Sequence, residues 1–177
     1  MTLDCLQTAD TSYSAGGQLI LSPTCVQLGA GRVTAILGPN GAGKSTLLNL
    51  LSGQRKPGTG QVRINGGDMA TCDPSRLAQL RSVLPQDTGV AFEYTVQDVV
   101  ELGRYPHRRT PSTNEAGIVR QAMVATDVLH LAHRVLNTLS GGERARAQLA
   151  RALAQIWEPV GATRWLLLDE PTAGLDP

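Results

Sequence analysis

The 177 residues are the size of one compact domain, and 16 Lys+Arg against 15 Asp+Glu leave a net charge of +1, which offers neither a basic field for nucleic acid nor an acidic tail. With 41% hydrophobic and 18% charged residues the composition argues against disorder, and two Trp, three Tyr and one Phe are too few for a base-stacking surface. Cys5, Cys25 and Cys72 are too widely spaced for a disulfide framework or zinc knuckle, no apolar run approaches bilayer-spanning length, and Met1–Thr8 lacks a signal-peptide pattern.

Along the chain, Leu3–Thr8 and Gln18–Leu28 alternate loosely between apolar and polar residues, as half-buried antiparallel strands do. Arg32–Leu37 reads as a short strand that runs into the glycine-rich Gly38–Gly43. Lys44–Ser52 then reads as a helix closed by Gly53. Val62–Ile64 is a strand ending in a Gly66-Gly67 turn, Pro74–Leu80 a helix, and Ser82–Pro85 a strand that stops at Gln86. Beyond Asp87 the texture turns helical. Thr95–Leu102 and Ser112–Val128 each open on a capping pattern, Thr95-x-x-Asp98 and Ser112-x-x-Glu115. Between them Gly103–Pro111 is basic, with Arg104, His107, Arg108 and Arg109, and reads as a solvated loop. Gly141–Gln155 is a helix with Ala145, Leu149, Ala152, Leu153 and Ile156 on its apolar face and Arg144, Arg146 and Arg151 outward. After the loop Glu158–Thr163, Arg164–Leu168 is an apolar strand ending at Asp169-Glu170.

Three stretches carry chemistry. Gly38-Pro39-Asn40-Gly41-Ala42-Gly43-Lys44-Ser45 fits G-x-x-x-x-G-K-[ST] between a predicted strand and a predicted helix. Glycines let successive N–H groups turn inward, and the helix N-terminus adds positive potential for phosphate. Lys44 supplies a point charge for the β and γ phosphates, and the Ser45 hydroxyl is a ligand for Mg²⁺. Lys44 and Lys56 are the only lysines. The apolar run Trp165–Leu168 delivers Asp169 to the Mg²⁺ shell and Glu170 to polarise the attacking water. Leu139-Ser140-Gly141-Gly142-Glu143 combines a capping box with two glycines that clear side chains from a helix N-terminus, so that bare N–H groups can meet an anion.

These three elements, in this order, resemble the ATP-binding cassette (ABC) ATPases over essentially the whole chain. The resemblance implies an α/β P-loop NTPase core with an N-terminal antiparallel β portion and a helical insert, residues 1–86 and 137–177 forming the core and 87–136 the insert. It implies ATP as substrate and Mg²⁺ as cofactor, with nucleotide contacts from Tyr13, stacked on adenine, and from Gly38 through Thr46. Gln86 matches the glutamine that touches Mg²⁺ and water and leads into the insert. Ala173-Gly174-Leu175-Asp176 matches the loop that crosses to the other subunit. In this family two chains pair head to tail, and Leu139–Glu143 of one closes over the ATP of the other. The homodimer is thus part of the site, joined by transmembrane permease subunits and, indirectly, a periplasmic binding protein.

Within the family, the Phe92–His107 stretch resembles importers of iron-siderophores, haem and cobalamin, and Trp157–Arg164 is most similar to haem importer ATPases. The expected protein is an ATP-hydrolysing subunit, peripheral on the cytoplasmic face of the inner membrane, that energises haem import; siderophore or cobalamin import is the alternative. A soluble ABC ATPase of repair or translation is disfavoured by the short spacing, free of heptads, between the phosphate loop and the signature, and a nucleotide-binding module without turnover is a third reading. The family pattern continues past Pro177 into a strand ending in a switch histidine, so the chain is expected to be a C-terminally truncated ATPase, nearly inactive alone. Arg144-Ala145 also departs from the glutamines common after the signature. His130-x-x-His133 is expected to be a surface pair and not a ligand set.

Overall fold

Gly16 and Gly17, with φ of 57° and 79°, make a two-residue turn whose twist suits a hairpin. It joins β1 (Cys5–Ala15) to β2 (Gln18–Gly29) in antiparallel register from Ala15↔Gln18 to Cys5↔Gly29. The computed structural model describes residues 4–85, 93–158 and 161–170. Its backbone divides into two units, residues 1–77 with 161–165, and residues 78–160 with 166–177.

In the first unit β1 lies between β2 and β3 (Thr59–Ile64), and β4 (Gly67–Asp68) completes the order β2-β1-β3-β4. The β3–β4 turn is Asn65-Gly66, with φ of 50° and 82°, one residue earlier than the expected Gly66-Gly67. Asn-Gly supplies the two left-handed positions such a turn demands. α1 (Lys44–Leu51) buries Leu47, Leu48, Leu50 and Leu51. Arg32–Leu37, expected as a strand, has no regular structure, and Val33 and Leu37 are 103% and 88% exposed. A run with apolar residues on both faces holds a strand only when partners bond its edges and cover both faces. Among the described residues no strand pairs with it.

In the second unit β5 (Arg81–Leu84) pairs with β6 (Trp165–Leu168). α2 (Pro74–Leu80), whose residues from Ala78 onward belong to this unit, leads directly into β5. α3 (Val96–Leu102), α4 (Glu115–Ala125) and α5 (Gly141–Gln155) enclose an aliphatic core that includes Val96, Val100, Ile118, Met123, Leu136 and Ala150. The expected capping boxes at α3 and α5 both form: Thr95 and Asp98, Ser140 and Glu143 satisfy each other's backbone N–H groups.

α4 is shorter at both ends than the expected Ser112–Val128. At its start the Ser112 hydroxyl donates to Glu158 (2.9 Å) and accepts the Asn114 N–H (3.1 Å) instead of that of Glu115. Glu115 accepts the Ser112 N–H (2.7 Å) and Arg104 Nε and Nη2 (2.7 and 2.9 Å). At its end Asp127 turns left-handed (φ 54°), with its N–H bonded to Val124 and that of Val128 to Met123. That pair of bonds is a Schellman stop, closed by contact-prone, buried Val128 and Met123.

The basic loop also differs from expectation. Arg104 is 7% exposed, paired with Glu115, 3.7 Å from Glu158, and donates to the Ala154 carbonyl (2.7 Å). His107 is buried against the Gln155 carbonyl (2.8 Å). Only Arg108 and Arg109 keep the solvated role. On α5 the buried residues are Ala147, Gln148, Ala150, Ala152 and Ala154, while Leu149, Leu153 and the arginines Arg144, Arg146 and Arg151 are half-buried. Neighbouring backbones come too close for larger groups: a Cβ on Gly103, just past α3, would meet the Arg151 carbonyl.

Two outcomes follow from these pairings. Arg104→Met leaves Glu115 and Glu158 facing each other without their cation, so this chain should lose about 3 kcal/mol of stability, read as a lower urea midpoint at unchanged slope. The Asp98 and Glu143 carboxyls are held below the usual range by hydrogen bonds from Thr95 and Ser140, and that of Glu115 by Arg104. Groups with depressed folded-state values stabilise the protein above about pH 4 and stop doing so as the pH falls through the lower folded-state values. Thermal unfolding across acid pH should therefore show a decline below about pH 4, shallower in Glu115→Gln.

Candidate functional site

Gly38–Ser45 runs from the irregular segment into α1, and the geometry of its turn is set by glycine. Gly41 and Gly43 take φ of 82° and 85°, and Gly43 is the residue immediately before the first turn of α1. A Cβ on Gly43 would also stand 3.1 Å from the Ile20 carbonyl and 3.3 Å from Leu21 Cδ1. A left-handed backbone pressed against β2 makes any other residue there strained and crowded. The Ala42 N–H donates to Pro39 (3.3 Å), curling the loop. Lys44 Nζ donates to the carbonyls of Gly38 and Pro39, both at 2.9 Å, so the ammonium folds back over the start of the loop. Ser45 is exposed and Thr46 half-buried in the first turn of α1. A helix start with an ammonium folded back beside it is the kind of arrangement that attracts an anion such as a polyphosphate.

Tyr13 is half-buried near the end of β1 in the same unit. Its hydroxyl accepts from Arg55 Nη1 at 2.6 Å, and the guanidinium stands 5.1 Å from the ring centroid. Arg55 is the residue that reading the sequence missed. It lies 42 positions from Tyr13 in the loop after α1, where no periodicity marks it.

In the second unit Ser140 caps α5, with Glu143 accepting its N–H and hydroxyl at 2.8 Å each. Gly141 and Gly142 follow without side chains, and Arg144 Nη2 donates to the Leu139 carbonyl (3.2 Å). At the end of β6 the Asp169 N–H extends the pairing by donating to Leu84 (2.9 Å). Glu170 is exposed and left-handed, with φ of 47°. Such a backbone is uncommon for a non-glycine residue and often marks a working position. Gln86 and Ala173–Asp176 lie outside the described residues.

Ser45 in the first unit offers a hydroxyl and Asp169 in the second a carboxylate; each by itself is a hard oxygen donor of the kind Mg²⁺ takes. Among the described residues no group of three or more His, Cys, Asp or Glu could hold a metal. His130 is 61% exposed and 4.0 Å from Asp127, and His133 is exposed.

A family model described as ABC transporter matches residues 21–173. The hemin import ATP-binding protein HmuV of Gloeobacter violaceus is 46% identical over 173 residues, covering 97% of this chain and 63% of the relative. HmuV of Methylobacillus flagellatus is 43% identical, covering 97% and 64%. The chain therefore spans less than two thirds of the curated relatives it matches. Among solved structures, a metal-chelate type ABC transporter in an inward-facing conformation is similar with a TM-score of 0.78 and 31% identity, over 99% of this chain and 63% of that one. An ATP-bound bacterial Atm1-family ABC exporter gives 0.80 and 26%, over 98% and 30%.

Proposed function

The chain belongs to the ABC transporter family, and from that premise we propose that it is the ATP-binding and ATP-hydrolysing part of an importer subunit whose cargo is haem. The observation that carries the reading is the Gly38–Ser45 loop, with Gly43 left-handed at the helix start and Lys44 folded over the loop. The hemin importer names of two relatives above 40% identity support the cargo. In this reading residues 1–177 form one ABC ATPase domain, with 1–86 and 137–177 as its α/β core and 87–136 as its helical subdomain.

Each residue has a stated task. Tyr13 stacks on adenine, and the N–H groups from Gly38 to Thr46 cradle the phosphates. Lys44 neutralises the β and γ oxygens. Ser45, Gln86 and Asp169 are the donors assigned to Mg²⁺, which when bound offsets phosphate charge. Glu170 takes the proton of the attacking water. Leu139–Glu143 meets the nucleotide of a second copy, so the homodimer is the hydrolysing unit.

Among the described residues no helix is long and apolar enough to cross a membrane. The subunit is accordingly proposed to sit peripherally on the cytoplasmic face, docked on transmembrane permease subunits that receive cargo from a periplasmic binding protein. The test is reconstitution of the complete protein with its permease in proteoliposomes. Haem-loaded binding protein should raise ATP turnover several-fold, while siderophore-loaded or cobalamin-loaded protein should not. Stimulation by either of those instead would replace haem as the cargo, and ATP turnover that no permease alters would replace the transport reading by a soluble ATPase.

A further inference from the structure

Tyr13 stands where β1 is least regular. The pairing of β1 with β2 shifts register between Thr11 and Tyr13 and again between Tyr13 and Ser14, and its pairing with β3 shifts between Ala9 and Ser12. A half-buried ring at such a place has neither an even ladder nor a full shell of neighbours to choose its rotamer. Its hydroxyl oxygen, the atom farthest from the backbone, accepts from Arg55 Nη1 at 2.6 Å, and a bond there selects among the χ1 wells. The guanidinium carbon is 5.1 Å from the ring centroid, within the range where a cation feels the π-field and biases the tilt of the plane. Among the described residues Arg55 pairs with no carboxylate.

Arg55 is itself fixed to α1. Its N–H donates to the Asn49 carbonyl (3.1 Å), which also accepts from the Ser52 hydroxyl (3.0 Å). The last carbonyls of a helix lack partners of their own, and the loop after α1 supplies them here. At the far end of that loop the Gly58 N–H donates to the Ser12 carbonyl (2.8 Å), and the hydroxyls of Ser12 and Thr59 meet at 2.7 Å. The loop is tied at one end to the helix that the phosphate loop opens, and at the other to the neighbour of Tyr13. Arg55 lies between the two ties, and all of these groups belong to the first unit.

We propose that Arg55 is a positioning residue that holds the Tyr13 ring at a fixed offset from the phosphate loop, so that a nucleobase stacks on it while the triphosphate lies along Gly38–Thr46. The role rests on the ATPase reading above and deepens it. Arg55 acts through the ring and touches no nucleotide atom. A nucleotide binds more tightly when both of its ends meet groups already in place, because those groups need not be ordered on binding. Loss of Arg55 therefore weakens the share of affinity that comes from the base and leaves the share that comes from the phosphates.

The test uses the complete protein, titrated by calorimetry with ATP and with inorganic tripolyphosphate, each with Mg²⁺. Arg55→Met keeps the stem and loses the donors. It should weaken ATP binding about fivefold and raise the KM for ATP to match, with kcat and tripolyphosphate affinity within about twofold of the parent. Arg55→Lys, which still donates to the hydroxyl, should recover most of the loss. Tyr13→Phe keeps the ring but removes the acceptor; it should weaken ATP binding by the same factor, and Arg55→Met added to it should cost nothing further. Equal weakening of ATP and tripolyphosphate by Arg55→Met would mean that the loop has merely loosened, and would overturn the proposal. Losses that multiply in the double variant would mean that Arg55 acts apart from Tyr13, and would overturn it too. A parent protein that binds neither probe would overturn the ATPase reading and this role with it, whereas the two preceding outcomes overturn the role alone.

Discussion

Lys44→Ala is expected to weaken ATP binding on the order of 100-fold, about 3 kcal/mol, the scale of charge-assisted hydrogen bonds to phosphate oxygens. The side chain accepts no substitute nearby. Lys56 is the only other lysine, and it is exposed in the loop after α1. The alanine variant also removes the bonds from Nζ to Gly38 and Pro39, so part of the loss reflects a looser loop. Lys44→Met, which keeps the length of the stem, separates charge from packing and should bind nearly as poorly as alanine. Titration of a fluorescent ATP analogue against the parent, both Lys44 variants and Lys56→Ala checks this. Lys56→Ala should match the parent, and equal affinity in all four would remove the loop from nucleotide binding.

Glu170→Gln should lower ATP turnover by on the order of 10² to 10⁴ in the complete protein, a rise of about 3 to 5 kcal/mol in the barrier, while ATP affinity stays near the parent value. The amide keeps the shape of the side chain but cannot accept the proton of water. Because Glu170 already holds a left-handed backbone, φ 47°, and glutamine has much the same backbone preference, the exchange isolates chemistry from strain. Dimers should accumulate with ATP and Mg²⁺ in this variant, since hydrolysis no longer reopens them. Single-turnover kinetics alongside sedimentation would read both effects, and full turnover would deny Glu170 the role of base.

Features governed by short-range chemistry were legible in the sequence. The start of α5 at Gly141 and its Ser140–Glu143 cap follow from four consecutive residues, and so does the Thr95–Asp98 cap of α3. The left-handed turn of Gly41 and Gly43 ahead of α1 is likewise a local object. Readings failed where a distant partner decided the outcome. Ser112 resembles a helix cap, but Glu158, 46 residues away, takes its hydroxyl. Arg104 resembles a surface charge until Glu115 and the Ala154 carbonyl enclose it. Apolar periodicity on α5 picks out Ala145, Leu149, Ala152, Leu153 and Ile156, of which Ala152 alone is buried, whereas tight approach of backbones also buries Ala147, Ala150 and Ala154. Arg32–Leu37 has the composition of a strand but no strand beside it among the described residues. Arg55 beside Tyr13 and Gln155 beside Ser82 are pairings across 42 and 73 positions, which no local pattern encodes.

The alanine lining of α5 has a consequence for how the protein can drift. Ala147, Ala150 and Ala154 have no accessible surface, and each added methylene in so dense a place costs about 1–3 kcal/mol through displaced neighbours. Smaller replacements are equally confined, because glycine at these positions loosens the helix by roughly 1 kcal/mol. Both directions of change are therefore closed at once, and lineages or libraries that diversify this helix must do so at its half-buried positions, such as Arg146 and Leu149, whose side chains retain some freedom to move. A stability screen would find the tolerated substitutions spaced along α5 in the complement of the alanine positions.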